Sequence, residues 1–155
     1  MHPYLNHDAC PPDPQLRAVT ARLGQAALCY LAGDLDADAT GWARTAIQRA
    51  QRLPCPLLGL DLRDVTFIDC AGLNLLLEAR LEARRTHRAI VLIAPSLPVQ
   101  HLLRITATRQ LFPAAASARA ALAIHRPPTP GETAAARVTA ARARPGTRER
   151  TRGLT

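Results

Sequence analysis

The chain contains no lysine; all 20 of its basic residues are arginine. Arginine and alanine are abundant throughout, the mark of GC-rich coding. A single arginine therefore says little, and the formal net charge of +8 does not by itself name an anionic partner. Aromatic residues are scarce, with one Trp, two Tyr and two Phe, so a core must be built from Leu, Ala, Val and Ile. No apolar run approaches the roughly 18 residues needed to span a bilayer. The opening residues Met1–Asp8 lack the basic-then-apolar order of a secretory signal, so a cytoplasmic location is expected. The four cysteines, Cys10, Cys29, Cys55 and Cys70, form no CxxC pair, and no histidine lies at ligand spacing from them. That spacing argues against a zinc site, and a cytoplasmic location argues against a disulfide framework. Ser–His–Asp, paired-carboxylate and glycine-rich phosphate-loop patterns are also missing. The reading is a non-enzyme with no metal and no cofactor.

What is present fits one domain with two appendages. Residues 1–15 hold four prolines and no periodicity and read as a flexible arm. Residues 16–126 carry the hydrophobic patterning of a folded domain. Residues 127–155 open on Pro-Pro-Thr-Pro-Gly and hold six arginines against Glu132 and Glu149, which reads as a disordered tail with a transient helix at 132–144. The tail arginines lack interleaved aromatics, so a solvated tail is expected rather than a nucleic-acid or membrane-binding one.

Within the domain, residues 17–23 and 26–32 read as two strands joined near Gly24-Gln25, and Gly33-Asp34-Leu35-Asp36 breaks the pattern. Ala43, Ile47 and Ala50 recur at helical spacing across 40–53, with Thr40 as the expected N-cap and Pro54 and Pro56 as the stop. Leu57–Leu62 is apolar on both faces, as a central strand should be. A polar turn, Arg63–Thr66, follows. Residues 71–86 give the clearest helix, with Leu73, Leu76, Leu77 and Leu81 as its stripe. Ala89–Ala94 reads as a buried strand and 97–106 as a short helix with Val99, Leu102 and Leu103 inward. Gln110–Phe112 reads as a brief strand and 114–124 as an alanine-rich helix. The order is ββαβαβαβα, an α/β sandwich whose later strands are mainly parallel.

The most informative stretch is Phe67-Ile68-Asp69-Cys70-Ala71-Gly72-Leu73, where a strand end feeds a helix N-terminus. Open α/β sheets place their binding chemistry at such points. The small residues Cys70, Ala71 and Gly72 are expected to leave the first helical N–H groups uncovered. Asp69 has two readings, a helix N-cap and a direct contact to a partner. Thr66 reads as bonded to the turn backbone, Trp42 as a packing cap, and His87 and His101 as solvated or packing residues.

Gly33-Asp34-Leu35-Asp36 and Leu60-Asp61-Leu62-Arg63-Asp64-Val65-Thr66-Phe67-Ile68-Asp69-Cys70-Ala71-Gly72-Leu73 resemble the signature blocks of STAS domains, in the flavour of the bacterial anti-sigma factor antagonists. The resemblance covers about residues 17–125. It implies a STAS-like single domain, a mixed sheet packed with helices. It also implies a function: binding an anti-sigma factor with a kinase-type fold, which frees a sigma factor for transcription. In the family the kinase phosphorylates the serine just after the motif aspartate and so switches the antagonist off. Here that position is Cys70, and Ala71 supplies no neighbouring hydroxyl, so the ordinary off-switch is missing. Ala107-Thr108, where many members carry Gly-Leu, is a second departure.

The resemblance assigns partner binding to Asp34, Asp36, Asp64, Thr66, Asp69, Cys70, Ala71, Gly72, Leu73 and Asn74. Asp38 flanks this surface. Direct DNA binding and membrane association are not expected, and a homodimer is left open. Two other readings stand beside it. One is a STAS subunit of a signalling scaffold or transport complex, which needs no phospho-switch. The other is a thiol redox sensor, because a helix N-terminus lowers thiol pKa values; Asp69 works against it, and no resolving cysteine is visible.

Overall fold

The structure, a computed structural model, describes residues 16–125. The expected arm, the expected tail with its helix, and Cys10 lie outside the described residues.

Two strands, β1 (Leu16–Leu23) and β2 (Ala26–Leu35), form an antiparallel hairpin, with Gly24 at φ +55 in the turn. β2 does not stop at Gly33 as the sequence suggested. Gly33 takes φ +106 where the register between β2 and β3 shifts, so the strand bends through a bulge and runs on to Leu35. β3 (Leu57–Ile68) likewise continues through the expected turn at Arg63–Thr66. Asp64 pairs with Ala32, Val65 with Gly33, and Phe67 with Asp34. Arg63, Asp64, Thr66 and Phe67 are exposed while Val65 and Ile68 are buried. The polar run is thus the solvent side of a long strand.

Helix α1 (Thr40–Arg52) buries Ala43, Ala46, Ile47 and Ala50 and ends where Leu53 turns extended before Pro54. Its N-cap is Ala39 and not Thr40. No side chain caps the helix; the Asp36 carboxylate instead orders the turn before it, accepting the N–H groups of Asp38 at 3.1 Å and Ala39 at 3.0 Å. Helix α2 (Cys70–Arg85) buries Leu73, Leu75, Leu76, Ala79 and Ala83, whereas Leu81 is 68% exposed. The leucine stripe misled because two of the inward positions are alanines. β4 (Ala89–Ile93) is followed by α3 (Leu97–Ile105), which buries Val99 and Leu103. The expected strand at Gln110–Phe112 is instead a 3-10 turn over Arg109–Leu111, with Phe112 buried after it. β5 is only Ala114–Ala115, so the last helix, α4 (Ala118–Ile124), starts later than expected, capped by Ser117.

The sheet order is β1-β2-β3-β4-β5, antiparallel between β1 and β2 and parallel elsewhere. Parallel neighbours added in chain order, with right-handed crossovers, put α1, α2 and α3 on one face. The larger core lies there: Cys29, Leu31, Leu58, Leu60 and Leu92 from the sheet meet Ile47, Leu76 and Val99 from the helices. A smaller cluster on the other face sets Leu28, Leu57, Val91 and Ile93 against α4. Both apolar faces of β3 are used, as its sequence required. The observed element order is the ββαβαβαβα read from the sequence.

Candidate functional site: the β3–α2 junction

The junction is held by close approach. Asp69 caps α2 through Oδ1, which accepts the N–H of Gly72 at 3.0 Å, so that group is not left uncovered as the sequence suggested. The Asp69 N–H donates to the Leu35 carbonyl at 3.4 Å. A Cβ on Gly72 would sit 2.3 Å from that same carbonyl oxygen and 2.8 Å from Ile68 Cγ1. Gly72 therefore lets α2 start directly against the end of β2. It is buried, as is Leu73, so both stand behind the surface rather than on it.

Two hydrogen bonds tie the remaining carboxylates to the sheet. The Thr66 hydroxyl donates to Asp34 Oδ1 at 2.6 Å, a cross-strand partner in place of the turn backbone expected for it. The Tyr30 hydroxyl donates to Asp64 Oδ2 at 2.6 Å. Burial, and then that bond to Asp64, pushes the Tyr30 hydroxyl up to about 12. Asp36 is turned to the start of α1. Among the described residues none of Asp34, Asp36, Asp64 and Asp69 forms an ion pair. Each accepts its hydrogen bonds from neutral donors.

What faces solvent is Asp64, Thr66, Phe67, Cys70 and Asn74, with Ala71, Asp34, Asp36 and Asp69 half-buried beside them. Phe67 is 50% exposed at the end of β3, between the exposed Thr66 and the inward Ile68. Cys70 is exposed at the helix start, while Cys29 and Cys55 are buried. Burial raises the Cys29 thiol to about 12. Among the described residues no cluster of three His, Cys, Asp or Glu side chains is placed to hold a metal ion. The junction is a small acidic surface with one exposed ring.

The family model described as "Mlab, STAS domain" matches residues 19–113. An anti-sigma factor antagonist from Mycobacterium paratuberculosis shares the fold at a TM-score of 0.66 and 18% identity, over 76% of this chain and 100% of that one. The anti-sigma factor antagonist SpoIIAA in its unphosphorylated form matches at a TM-score of 0.59 and 18% identity, over 70% of this chain and 96% of that one. The Bacillus cell fate determinant SpoIIAA in its phosphorylated form matches at 0.54 and 18%, over 67% and 96%. No curated protein matches the sequence. At these identities the structural likeness is one of fold, and it agrees with the family match that covers most of the domain. The chain belongs to the STAS domain family.

Proposed function

We propose that this protein is a non-catalytic, anti-sigma factor antagonist-like binding module. It docks through the β3–α2 junction onto an anti-sigma factor of kinase-type fold in the cytoplasm, and so regulates sigma-factor-dependent transcription. The observation that carries the reading is the junction itself: a capped helix start with Phe67, Cys70 and Asn74 exposed beside carboxylates that form no ion pair among the described residues. Cys70 occupies the position that the family resemblance assigns to the phosphorylated serine. A phosphate there would add about −1.5 to −2 charge and a bulky group beside Asp69. A thiol keeps the site small, and a serine kinase cannot phosphorylate it in the same way. The module is therefore held in its binding-competent form.

The test is capture from the native host by the full chain and by Asp69→Lys. Retention of a kinase-type anti-sigma factor by wild type, and its loss with Asp69→Lys, supports the reading. Equal retention by both removes the junction as the docking surface.

A second reading is favoured by the missing hydroxyls at Cys70 and Ala71. A STAS subunit of a larger scaffold or transport complex needs no phospho-switch. Capture of such subunits in place of a kinase selects it. The redox-sensor reading rests on Cys70 standing exposed at the start of α2, and it fails if oxidant leaves partner binding unchanged.

A further inference from the structure

The end of the domain opposite the junction carries the reverse charge. α1 and α2 both run from the carboxyl end of the parallel strands back to their amino end. Their last turns bring Arg49, Arg52, Arg84 and Arg85 there. Arg22, paired with Ala27 at the start of β2, and Arg88, just before β4, join them. All but Arg88 are exposed. Two carboxylates lie by these arginines, Glu82 bonded to Arg85 at 2.9 Å and Glu78 paired with Arg44, and both line the groove that Arg52 borders. Arginines at helix ends offset the helix dipole, and two helix C-termini amount to about one negative charge in all. Seven arginines, Arg44 included, against two carboxylates still exceed that need.

Apolar groups accompany the charge. Leu81, one turn before the end of α2, is 68% exposed, and Ile105, the last residue of α3, is 62% exposed. Phosphates of a nucleic-acid duplex have no use for exposed leucine and isoleucine. An anionic bilayer uses both: arginines meet the headgroups, and branched side chains enter the acyl boundary. From the sequence no membrane partner is expected. Among the described residues no helix is long and apolar enough to cross a membrane, but adsorption needs none.

We propose that this end of the domain, centred on Arg49, Arg52 and Arg84 with Leu81 and Ile105, adsorbs to the surface of an anionic phospholipid bilayer. Along α2, Arg84 lies about 21 Å and Leu81 about 17 Å from Cys70. Both distances exceed twice the Debye length of about 8 Å at physiological salt, so charge at one end is largely screened from the other. Adsorption through the last helical turns leaves Phe67 and Cys70, at the other end of β3 and α2, open to a protein partner. The inference does not depend on what that partner is.

The test is sedimentation of the full chain with vesicles of phosphatidylcholine alone and of a three-to-one mixture with phosphatidylglycerol, at physiological salt. Binding to the mixture only is expected. Each arginine near the surface contributes about fivefold to partitioning, so Arg49→Ser/Arg52→Ser/Arg84→Ser should lose on the order of a hundredfold. Ile105→Ser should lose a few-fold, and Asp69→Lys nothing. The three arginines are exposed and have no ion pair among the described residues, so the variant should fold, which circular dichroism checks. Three results overturn the proposal: no binding to the mixture, equal binding by the triple variant, or stoichiometric displacement of the protein from vesicles by a mixed-sequence DNA duplex.

Discussion

Replacing Gly72 by alanine should break the junction. The new Cβ would lie 2.3 Å from the Leu35 carbonyl oxygen, 2.8 Å from Ile68 Cγ1 and 3.0 Å from Leu35 Cγ. The first of these is backbone at the end of a paired strand, so it cannot swing aside. α2 must lift by about 1 Å to restore ordinary contact, which places the cost in the range of roughly 1–3 kcal/mol for overpacking. Lifting also strains the Asp69-to-Gly72 cap, typically worth about 1 kcal/mol. Against this, alanine gains up to about 1 kcal/mol over glycine in a helix. The net loss is about 2 kcal/mol.

Urea unfolding reads that loss as a midpoint lowered by about 1 M, for a slope of about 2 kcal/mol/M. Two controls bracket it. Gly41→Ala in the first turn of α1 has nothing within 4 Å of its Cβ and should be neutral or stabilising. Gly59→Ala would meet the flexible ends of Ile93 and Leu28 at 2.8 Å and should cost less than Gly72→Ala. A Gly72→Ala protein as stable as Gly41→Ala would refute the close-approach argument.

Other expectations follow from the same geometry. Asp69→Ala should cost about 1 kcal/mol in urea unfolding, while Asp69→Asn should keep the cap and most of the stability; if the charge contacts a partner, both should weaken partner binding. Native-state alkylation followed by mass spectrometry should label Cys70 and spare Cys29 and Cys55, which should react only on unfolding. Stability should fall as pH rises above 9. The Cys29 thiol ionises near 9 when unfolded but only near 12 when folded, so its contribution is fully present below 9 and lost as pH passes through 12. Tyr30 acts in the same direction between 10 and about 12. Cys29→Ala should flatten the loss between 9 and 10 in pH-dependent unfolding.

The element order and the motif's place on a strand–helix junction were legible in the sequence because long apolar runs and the Asp69 cap are local signals. What escaped was set by tertiary contact. The continuation of β3 through Arg63–Thr66 depends on pairing with Ala32 and Gly33, which no local polarity pattern shows. The buried face of α2 rests partly on Ala79 and Ala83, which weigh little in a hydrophobic pattern but let the helix sit close. Gly72 read as a small residue that exposes the helix start, whereas its need is the Leu35 carbonyl, 37 residues earlier in the chain. The Thr66–Asp34 and Tyr30–Asp64 bonds are likewise products of strand register. The basic end required the topology, since its arginines come from three separate parts of the chain.

In the proposed function, Cys70 holds the docking surface permanently in its binding form. The direct measurement is the affinity of the captured anti-sigma factor for wild type, Cys70→Ser and Cys70→Glu, each with and without ATP. The account expects tight binding by wild type that ATP does not change, release of Cys70→Ser as ATP is consumed, and weak binding by Cys70→Glu throughout. Release of wild type by ATP, or binding of Cys70→Glu at wild-type affinity, would contradict it.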